Sequence, residues 1–388
     1  MRKYLLILFA VFFSLFLCSC SSGFDDKLYP SHDDIPDNFV LGELVKEEET
    51  KLTCIAHDDN EYYESWVDLV YEYNGVFNYF NGFYPLKTNN RLTINAPVGA
   101  DIEISLLDND GNVVYTNVPN AQGICYLFPN WFSYMYKIRV KYYNDFNNEP
   151  IITEYEMHDT ITLSFGVRKV EKDTIDLMFV VDTTTSMDDE LEFLKNEISD
   201  VVEEVNSFND CIVNVAVLLY KDKGEIYETL YSEFTEDINA QLEFLENKIA
   251  YGGGDFEEAV EVAIEEAASK SWSGSNSTKI IVHIGDAPAH DENINDWYNA
   301  VIDLCNKGIR LITVASSGIN KKTEYLFRSM TLISNGTYVA ITNHSGIGND
   351  HIDSSVDVNV TVEYLDRCLV RLITGYHTGI LYDPIPIN

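Results

Sequence analysis

From residue 173 onward, short apolar runs alternate with amphipathic segments, and this alternation limits the folds open to the chain. The runs have the length of strands and are apolar on both faces, whereas Leu191, Leu194 and Ile198 repeat at helical spacing. Strands buried on both faces and linked by helices form mainly parallel sheets. We therefore predict an open, mainly parallel α/β domain over 173–345, with helices on both faces. The predicted strands are 175–181, 212–220, 279–285, 310–316 and 337–342, and a helix begins near 191, with others over 237–249, 256–270, 293–306, 321–333 and 360–374.

Three carboxylates of this domain follow predicted strands or precede a predicted helix. Asp182 and Asp286 each end a strand, and Asp255 follows three glycines. Sites in open α/β sheets lie at the carboxyl ends of the strands. Asp182, Thr184 and Ser186 are spaced i, i+2, i+4, so one loop can turn all three side chains to a single point. Carboxylate and hydroxyl oxygens suit Mg²⁺, with Mn²⁺ or Ca²⁺ as alternatives. The predicted metal ligands are Asp182, Thr184, Ser186, Asp255 and Asp286.

Four separated motifs, FVVDTTTSM, LLYKDKG, GGGDFEEAV and HIGDAPAH, fall in the order found in von Willebrand factor type A (VWA) domains. The chain resembles the bacterial branch of this family over about 173–345. The family has a metal-ion-dependent adhesion site (MIDAS) with the motif Asp-x-Ser/Thr-x-Ser. The resemblance implies that Thr184 and Ser186 bind the metal directly, and that Asp182 and Asp286 bind it directly or through water. It also implies a protein partner whose Glu or Asp completes the coordination.

The sequence departs from the family at Asp255, where a Thr is common. A third carboxylate there could occupy the coordination position of the partner, or weaken the attraction of the metal for an incoming carboxylate. Asp255 could also bond a bound water or cap the following helix. The sequence therefore supports metal binding better than capture of a carboxylate.

Several of these polar residues have alternative structural roles. Thr and Ser between a strand and a helix are good N-caps, so the DTTTS motif alone would indicate capping more often than metal binding. Asp222 and His290 could surround the site, or serve as a loop salt bridge and a helix-start residue. We leave both outside the predicted ligand set.

Residues 51–165 are rich in Tyr, Phe, Val, Ile and Thr in short runs separated by turn residues, which predicts an antiparallel, immunoglobulin-like β-sandwich. The clearest hairpin joins 101–106 to 113–115. Its loop resembles a calcium loop, but Gly falls at loop position 4 and Pro119 at position 12, so a turn is predicted. The aromatic residues are interpreted as core, with a carbohydrate platform as the alternative.

The N-terminus predicts a lipoprotein signal peptide over 1–19 and an acidic tether over 20–50. Two basic residues precede the apolar run 4–17, which is too short to span ~30 Å of hydrocarbon comfortably. The sequence Leu17-Cys18-Ser19-Cys20 resembles a bacterial lipobox, and this implies lipidation of Cys20 and an extracytoplasmic protein anchored to the cell membrane. An uncleaved anchor and an unlipidated signal peptide are the alternatives.

Export would also allow a disulfide. Cys54 and Cys125 both fall in the predicted sandwich, and either a bridge between them or free thiols is compatible with the sequence. Residues 346–388, which follow the predicted VWA segment, are predicted to form a C-terminal helix and tail.

The net charge of −37, from 63 acidic and 26 basic residues, argues against binding of nucleic acid. The sequence has no Walker loop, GxSxG or HExxH motif, so no enzymatic activity is predicted. We expect a membrane-anchored protein that binds a divalent metal and mediates protein–protein interaction or adhesion. The alternatives are a cell-envelope scaffold stabilised by the metal and, less favoured, a metal-dependent hydrolase.

Overall fold

The apolar runs of the second half of the chain form the centre of an eight-stranded sheet in the computed structural model of the protein. The structure describes residues 51–129, 137–208, 210–347, 354–356 and 360–387. All nine residues of β9 (Thr174–Asp182) are buried, and because successive side chains point to opposite faces, both faces of the sheet are covered there. Across the sheet, the strands are β11 (Thr229–Thr235), β10 (Ile212–Tyr220), β9, β12 (Ser277–Gly285), β13 (Ile309–Ala315), β14 (Thr337–Ile341), β1 (Thr53–His57) and β15 (Glu363–Tyr364).

The five central strands, from β10 to β14 across the sheet, run parallel to one another. The outer strands β11, β1 and β15 are antiparallel to their neighbours. The helices that connect and cover the strands are α3 (Asp188–Phe208), α4 (Ile238–Glu246), α5 (Val260–Ser269), α6 (Ile294–Asn306), α7 (Lys321–Ile333) and α8 (Leu365–Thr378). The predicted mainly parallel α/β fold is confirmed.

The C-terminal segment is part of the α/β body, which therefore extends beyond the 173–345 segment predicted for it. Helix α8 packs against α3 and contacts β1 and β12. Strand β15, which precedes it, pairs with β1 through Thr53–Tyr364 and Cys54–Glu363. The segment is held there because seven apolar or small residues of α8, including Leu365 and Ile373, are buried.

The first part of the predicted sandwich also belongs to the α/β body. β1 pairs with β14 in antiparallel register, from Cys54 opposite Ile341 to His57 opposite Tyr338. It is followed by two helices, α1 (Tyr63–Tyr71) and α2 (Asn78–Phe83), where strands were predicted. The aromatic content that indicated strands here supplies a buried helix face instead, in which Trp66 stacks on Tyr325 of α7 at 6.2 Å.

The rest of the predicted sandwich forms two small sheets. One has the order β4 (Val113–Asn117), β3 (Ile102–Leu107), β6 (Lys137–Asn144), β7 (Asn147–Glu156), and the other the order β5 (Ile124–Leu127), β2 (Leu92–Asn95), β8 (Thr160–Thr162). β2 and β8 are parallel, which differs from the purely antiparallel arrangement predicted. The β3–β4 hairpin forms as predicted, and its loop is a turn in which the Asp108 carboxylate accepts from the backbone N–H groups of Asp110 and Asn112, at 2.9 and 2.8 Å.

The small sheets are bonded to the α/β body. Thr116 of β4 donates its backbone N–H to the Asn306 side chain at 2.7 Å, and Tyr126 of β5 donates to Asn335 at 2.8 Å. The described residues from 51 onward therefore form one compact unit, rather than a sandwich that is separate from the α/β domain.

Cys54 and Cys125 are both free, so the bridge considered between them is absent from the structure. They lie in different sheets, which explains why they do not meet. Cys54 lies beside Cys368 of α8 and Cys125 near Cys305 of α6. Burial raises the pKa of the Cys54, Cys125 and Cys305 thiols.

The signal peptide predicted over 1–19, lipidation at Cys20 and the tether over 20–50 lie outside the described residues. Within the described ranges, no helix combines the length and apolar character needed to cross a bilayer.

A buried ion pair holds the β1–α1 connection against α7. Arg328 of α7 donates to both carboxylate oxygens of Asp59, at 2.9 and 2.6 Å, and both side chains are at most 1% exposed. Glu324 lies 3.4 Å from the same guanidinium. Loss of one partner of a buried pair leaves an uncompensated charge, which is more costly than loss of an exposed pair.

We predict that Asp59→Asn lowers the free energy of unfolding by about 3–5 kcal/mol, because it leaves the Arg328 charge poorly compensated. Glu154→Gln is the control, since it removes an exposed ion pair with Arg139 and is expected to cost less than about 1 kcal/mol. Urea unfolding of both variants measures the difference. Equal losses would contradict the packing of this segment against α7.

Candidate metal centre

The parallel register brings the ends of three strands to one place. Ile284 of β12 lies opposite Val181 of β9, so Asp182 and Gly285 leave the sheet side by side, and Tyr220 of β10 lies opposite Asp182. A Cβ atom on Gly285 would lie 2.6 Å from the Tyr220 hydroxyl and 3.3 Å from the Asp182 Cβ. Glycine is therefore required here for the three strand ends to pack this closely.

The loop after β9 turns its polar side chains together. The Asp182 Oδ1 atom accepts from the Thr184 backbone N–H at 2.8 Å and from its hydroxyl at 2.7 Å. The Thr184 and Ser186 hydroxyl oxygens are 3.2 Å apart. Asp182 and Thr184 are buried, whereas Ser186 is exposed, so this row of oxygens runs from the interior to the surface. Thr184 precedes a short 3-10 turn (Thr185–Met187), but its side chain makes no capping hydrogen bond.

The glycine loop lies directly against the loop after β9. Thr185 donates its backbone N–H and its hydroxyl to the Gly252 carbonyl, at 3.0 and 2.8 Å. Gly252 and Gly253 have φ of +86° and +87°, a conformation that side chains disfavour. A Cβ on Gly253 would lie 3.2 Å from the Thr184 Cβ, so the glycines also allow the close approach of the two loops.

Asp286 and Glu258 add buried carboxylates to the same edge of the sheet. Asp286 follows β12, is 2% exposed and is hydrogen-bonded to Ser186. Glu258, also 2% exposed, lies just before α5, and its backbone N–H donates to the Pro288 carbonyl at 3.0 Å. Glu190 of α3 is buried beside them and accepts from the Ser317 backbone N–H at 2.8 Å.

Three oxygens of this centre have no hydrogen-bond partner among the described residues. They are Asp182 Oδ2, Asp286 Oδ1 and Glu258 Oε2, and all three are buried. Within the same described ranges, no Lys or Arg forms an ion pair with these carboxylates, since the Lys221 amino group donates to the backbone carbonyls of Thr183 and Tyr251. Buried, unsatisfied carboxylate oxygens beside two hydroxyls are the donor set of a hard divalent cation, so the residues fit such an ion.

The pKa values reflect this crowding. Burial raises the pKa of Asp182 to about 6, against the hydrogen bonds from Thr184. Burial, and then the charge of Asp182, raises the pKa of Asp286 to about 7. Burial and the charges of neighbouring carboxylates raise the pKa of Glu258 to about 9. Each group therefore holds its proton more strongly than an ordinary carboxyl, chiefly because burial disfavours the charged form.

Asp255 is placed differently from the prediction. It is exposed, and its carboxylate forms a group with Asp222 and His290 in which the ligand atoms all lie within 4.8 Å of one another. His290 Nε2 is 3.0 Å from Asp222 Oδ1. Partial burial acts to lower the pKa of His290, but the hydrogen bond and charge of Asp222 outweigh it and raise the pKa. Asp222 and His290, which we left outside the predicted ligand set, thus lie together with Asp255, which we included in it.

Sequence reasoning missed Glu258. The charges of Asp182 and Asp286 contribute to its raised pKa, and its Oε1 atom and the Thr184 Cβ both lie against Gly253, so Glu258 is the carboxylate from the middle loop that belongs to this centre. The available signal was its position at the start of the apolar segment Ala259–Val260, where an acidic side chain is drawn into the interior.

Comparison with known proteins matches a family model described as von Willebrand factor A domain to residues 176–349. The alpha-protein kinase vwkA of Dictyostelium discoideum is 26% identical over 186 residues, which is 47% of this chain and 29% of that protein. The putative ariadne-like RING finger protein R811 of Acanthamoeba polyphaga mimivirus is 29% identical over 119 residues, which is 31% of this chain and 12% of that protein. The chain thus matches less than a third of the length of either relative.

Two solved structures show a distant likeness. The conserved hypothetical protein BatB from Bacteroides thetaiotaomicron is 15% identical with a TM-score of 0.37, over 52% of this chain and 98% of that one. The SpRpn10 VWA domain is 11% identical with a TM-score of 0.34, over 54% of this chain and 99% of that one. These scores are too low to carry a functional comparison. The family match, which covers the parallel strands and both loops of the metal centre, supports a VWA domain over residues 176–349.

Proposed function

We propose that this protein binds a divalent cation, Mg²⁺ in the first place, through Asp182, Thr184, Ser186 and Asp286, and that the bound cation holds a carboxylate of a protein partner. The observation that carries the proposal is the set of buried carboxylate oxygens without hydrogen-bond partners in the described part of the chain. A cation bound there supplies the positive charge that attracts an incoming Glu or Asp.

The side chains of the centre are already oriented for this role. The Thr184 hydroxyl donates its proton to Asp182, so its lone pairs are directed away from that carboxylate. Ser186 is exposed and hydrogen-bonded to Asp286, which places it between the buried carboxylates and solvent. A partner would therefore approach from the side of Ser186.

The charge of Glu258 affects how strongly a bound cation can attract a carboxylate of the partner. With a pKa of about 9 it carries its proton at neutral pH, so it adds a third carboxyl without adding a third negative charge. The sequence suggested that a third carboxylate would weaken the attraction of the metal for an incoming carboxylate. This weakening is reduced because Glu258 is protonated. Asp255, the residue for which that concern arose, is exposed in a neighbouring cluster.

The wider role is a proposal from the sequence. We infer a lipoprotein attached through Cys20 to the cell membrane, acting outside the cytoplasm in protein–protein interaction or adhesion without enzymatic activity. The VWA domain supports an interaction role. One relative is named as a kinase, but this chain matches only 29% of the length of that protein. The alternative is a scaffold in which the cation only stabilises the fold.

We predict that Asp182→Asn weakens Mg²⁺ binding at least about tenfold, because it removes a charged ligand from the buried end of the site. Asp255→Asn is the matched control, and it should leave Mg²⁺ binding unchanged because Asp255 lies in the other cluster. Isothermal titration of the three proteins gives the affinities. Equal affinities for wild type and Asp182→Asn would overturn the proposed site.

Affinity for Mg²⁺ should fall as the pH is lowered from about 8 to about 5, because cation binding must displace protons from carboxyls. The folded-state pKa values of about 6 for Asp182 and about 7 for Asp286 are both raised, so protonation competes with the cation on passing below that window. Titrations across this range at constant ionic strength measure the effect. A pH-independent affinity would exclude these carboxylates as ligands.

Capture of a partner should require the cation. We expect chelation with EDTA to release a bound partner while circular dichroism shows that the protein remains folded, and Mg²⁺ to restore binding. Release that occurs only together with unfolding would instead support the scaffold role. Partner binding that is unchanged by chelation and by Asp182→Asn would contradict metal-mediated recognition.

A further inference from the structure

A second cluster of potential metal ligands lies on the same edge of the sheet as the first centre. Asp222 is in the loop after β10, Asp255 in the glycine loop, and His290 in the loop after β12. Three separate loops therefore bring together two carboxylates and an imidazole. None of these residues is a ligand in the proposed MIDAS.

The separations suit one shared ion. The ligand atoms of the three side chains all lie within 4.8 Å of one another, and His290 Nε2 is 3.0 Å from Asp222 Oδ1. For metal–ligand bonds of ~2.1 Å, the ligands of a tetrahedral ion are ~3.4 Å apart, and adjacent and opposite ligands of an octahedral ion are ~3.0 and ~4.2 Å apart. Small side-chain movements are enough to bring the three atoms to those distances.

The negative charge of the cluster is not balanced by Lys or Arg. Within the described residues, Asp222 forms an ion pair only with His290, and Asp255 forms none. Lys223, one residue from Asp222, pairs with Glu261 at 2.7 Å instead. The cluster therefore offers two carboxylates that no Lys or Arg of the described residues neutralises.

A buried side chain beside the cluster also has one oxygen without a hydrogen-bond partner among the described residues. Glu258 is 2% exposed, and its Oε2 atom has no hydrogen-bond partner among the described residues. Its backbone N–H donates to the Pro288 carbonyl, two residues before His290, and its carboxyl is close enough to Asp222 for the two charges to interact. Glu258 thus lies between the first centre and this cluster.

We propose that Asp222, Asp255 and His290 bind a second divalent cation, and that this site prefers a transition metal such as Zn²⁺ to Mg²⁺. Imidazole nitrogen is a common ligand of Zn²⁺, whereas Mg²⁺ prefers oxygen ligands throughout. The two sites of this edge differ in the same way, because the first offers only oxygens and the second adds a nitrogen. The proposal does not depend on the function of the first site.

The test is Zn²⁺ binding by the full-length chain in detergent, measured by equilibrium dialysis with excess Mg²⁺ to occupy the first site. Wild type is expected to bind one Zn²⁺, and His290→Gln to bind it at least about tenfold more weakly. His158→Gln is the control for adventitious binding, since His158 is exposed in the β7–β8 connection, and it should behave as wild type. Asp182→Asn should retain the Zn²⁺ while losing Mg²⁺.

Two outcomes would overturn the second site. One is equal Zn²⁺ affinity in wild type and in a His290→Gln variant that circular dichroism shows to be folded. The other is loss of Zn²⁺ binding in Asp182→Asn, which would mean that both metals compete for the first site. Failure of Mg²⁺ binding with retention of the His290-dependent Zn²⁺ would instead count against the first site alone.

Discussion

The burial of several carboxylates at the end of β9 is the constraint on which the rest of this edge depends. Asp182, Asp286 and Glu258 are each at most 2% exposed, and each has an oxygen without a hydrogen-bond partner in the described structure. Removing a charged carboxylate from water costs several kcal/mol unless an opposite charge or a proton compensates. The raised pKa values of Asp182 and Asp286 indicate that a bound proton is one way to remove the buried charge. A bound divalent cation is the other way to compensate it.

The fold places these groups together at little structural cost. Parallel strands end at a common edge, so side chains from the loops after β9 and β12 meet without any long loop. Gly285 lets Asp182 and Tyr220 pack at the strand ends, and Gly253 lets the middle loop approach Thr184. Toward the other edge of the sheet, β1 pairs with β14, and the Asp59–Arg328 ion pair holds the β1–α1 connection against α7. These contacts join the start of the described chain to the α/β body.

Local sequence patterns were sufficient for the central strands, and they led to the four ligands that we propose. The runs around β9 and β12 are apolar on both faces, and the strand-end rule then selects Asp182 and Asp286. β1 was not predictable in this way, because its partner β14 lies almost the whole chain away, with Cys54 opposite Ile341. Helix α1 was misread because its aromatic residues favour strands when tertiary packing is not known.

Within the site, local sequence patterns were likewise not sufficient to predict the positions of Glu258 and Asp255. Both acids lie in one short segment, and the sequence alone does not reveal which of them is turned inward. The structure buries Glu258 beside Asp182 and leaves Asp255 exposed with Asp222 and His290. The loop conformation set by Gly252 and Gly253, with positive φ at both positions, decides between them, and such conformations are not visible in residue spacing.

The most direct test of the account is a crystal structure of the protein grown with Mn²⁺, with anomalous diffraction used to locate the metal. We expect an anomalous peak within bonding distance of the Ser186 and Thr184 hydroxyls, beside Asp182 and Asp286. A structure in which Mn²⁺ occupies other sites, and in which these oxygens are bonded only to water or to one another, would contradict it.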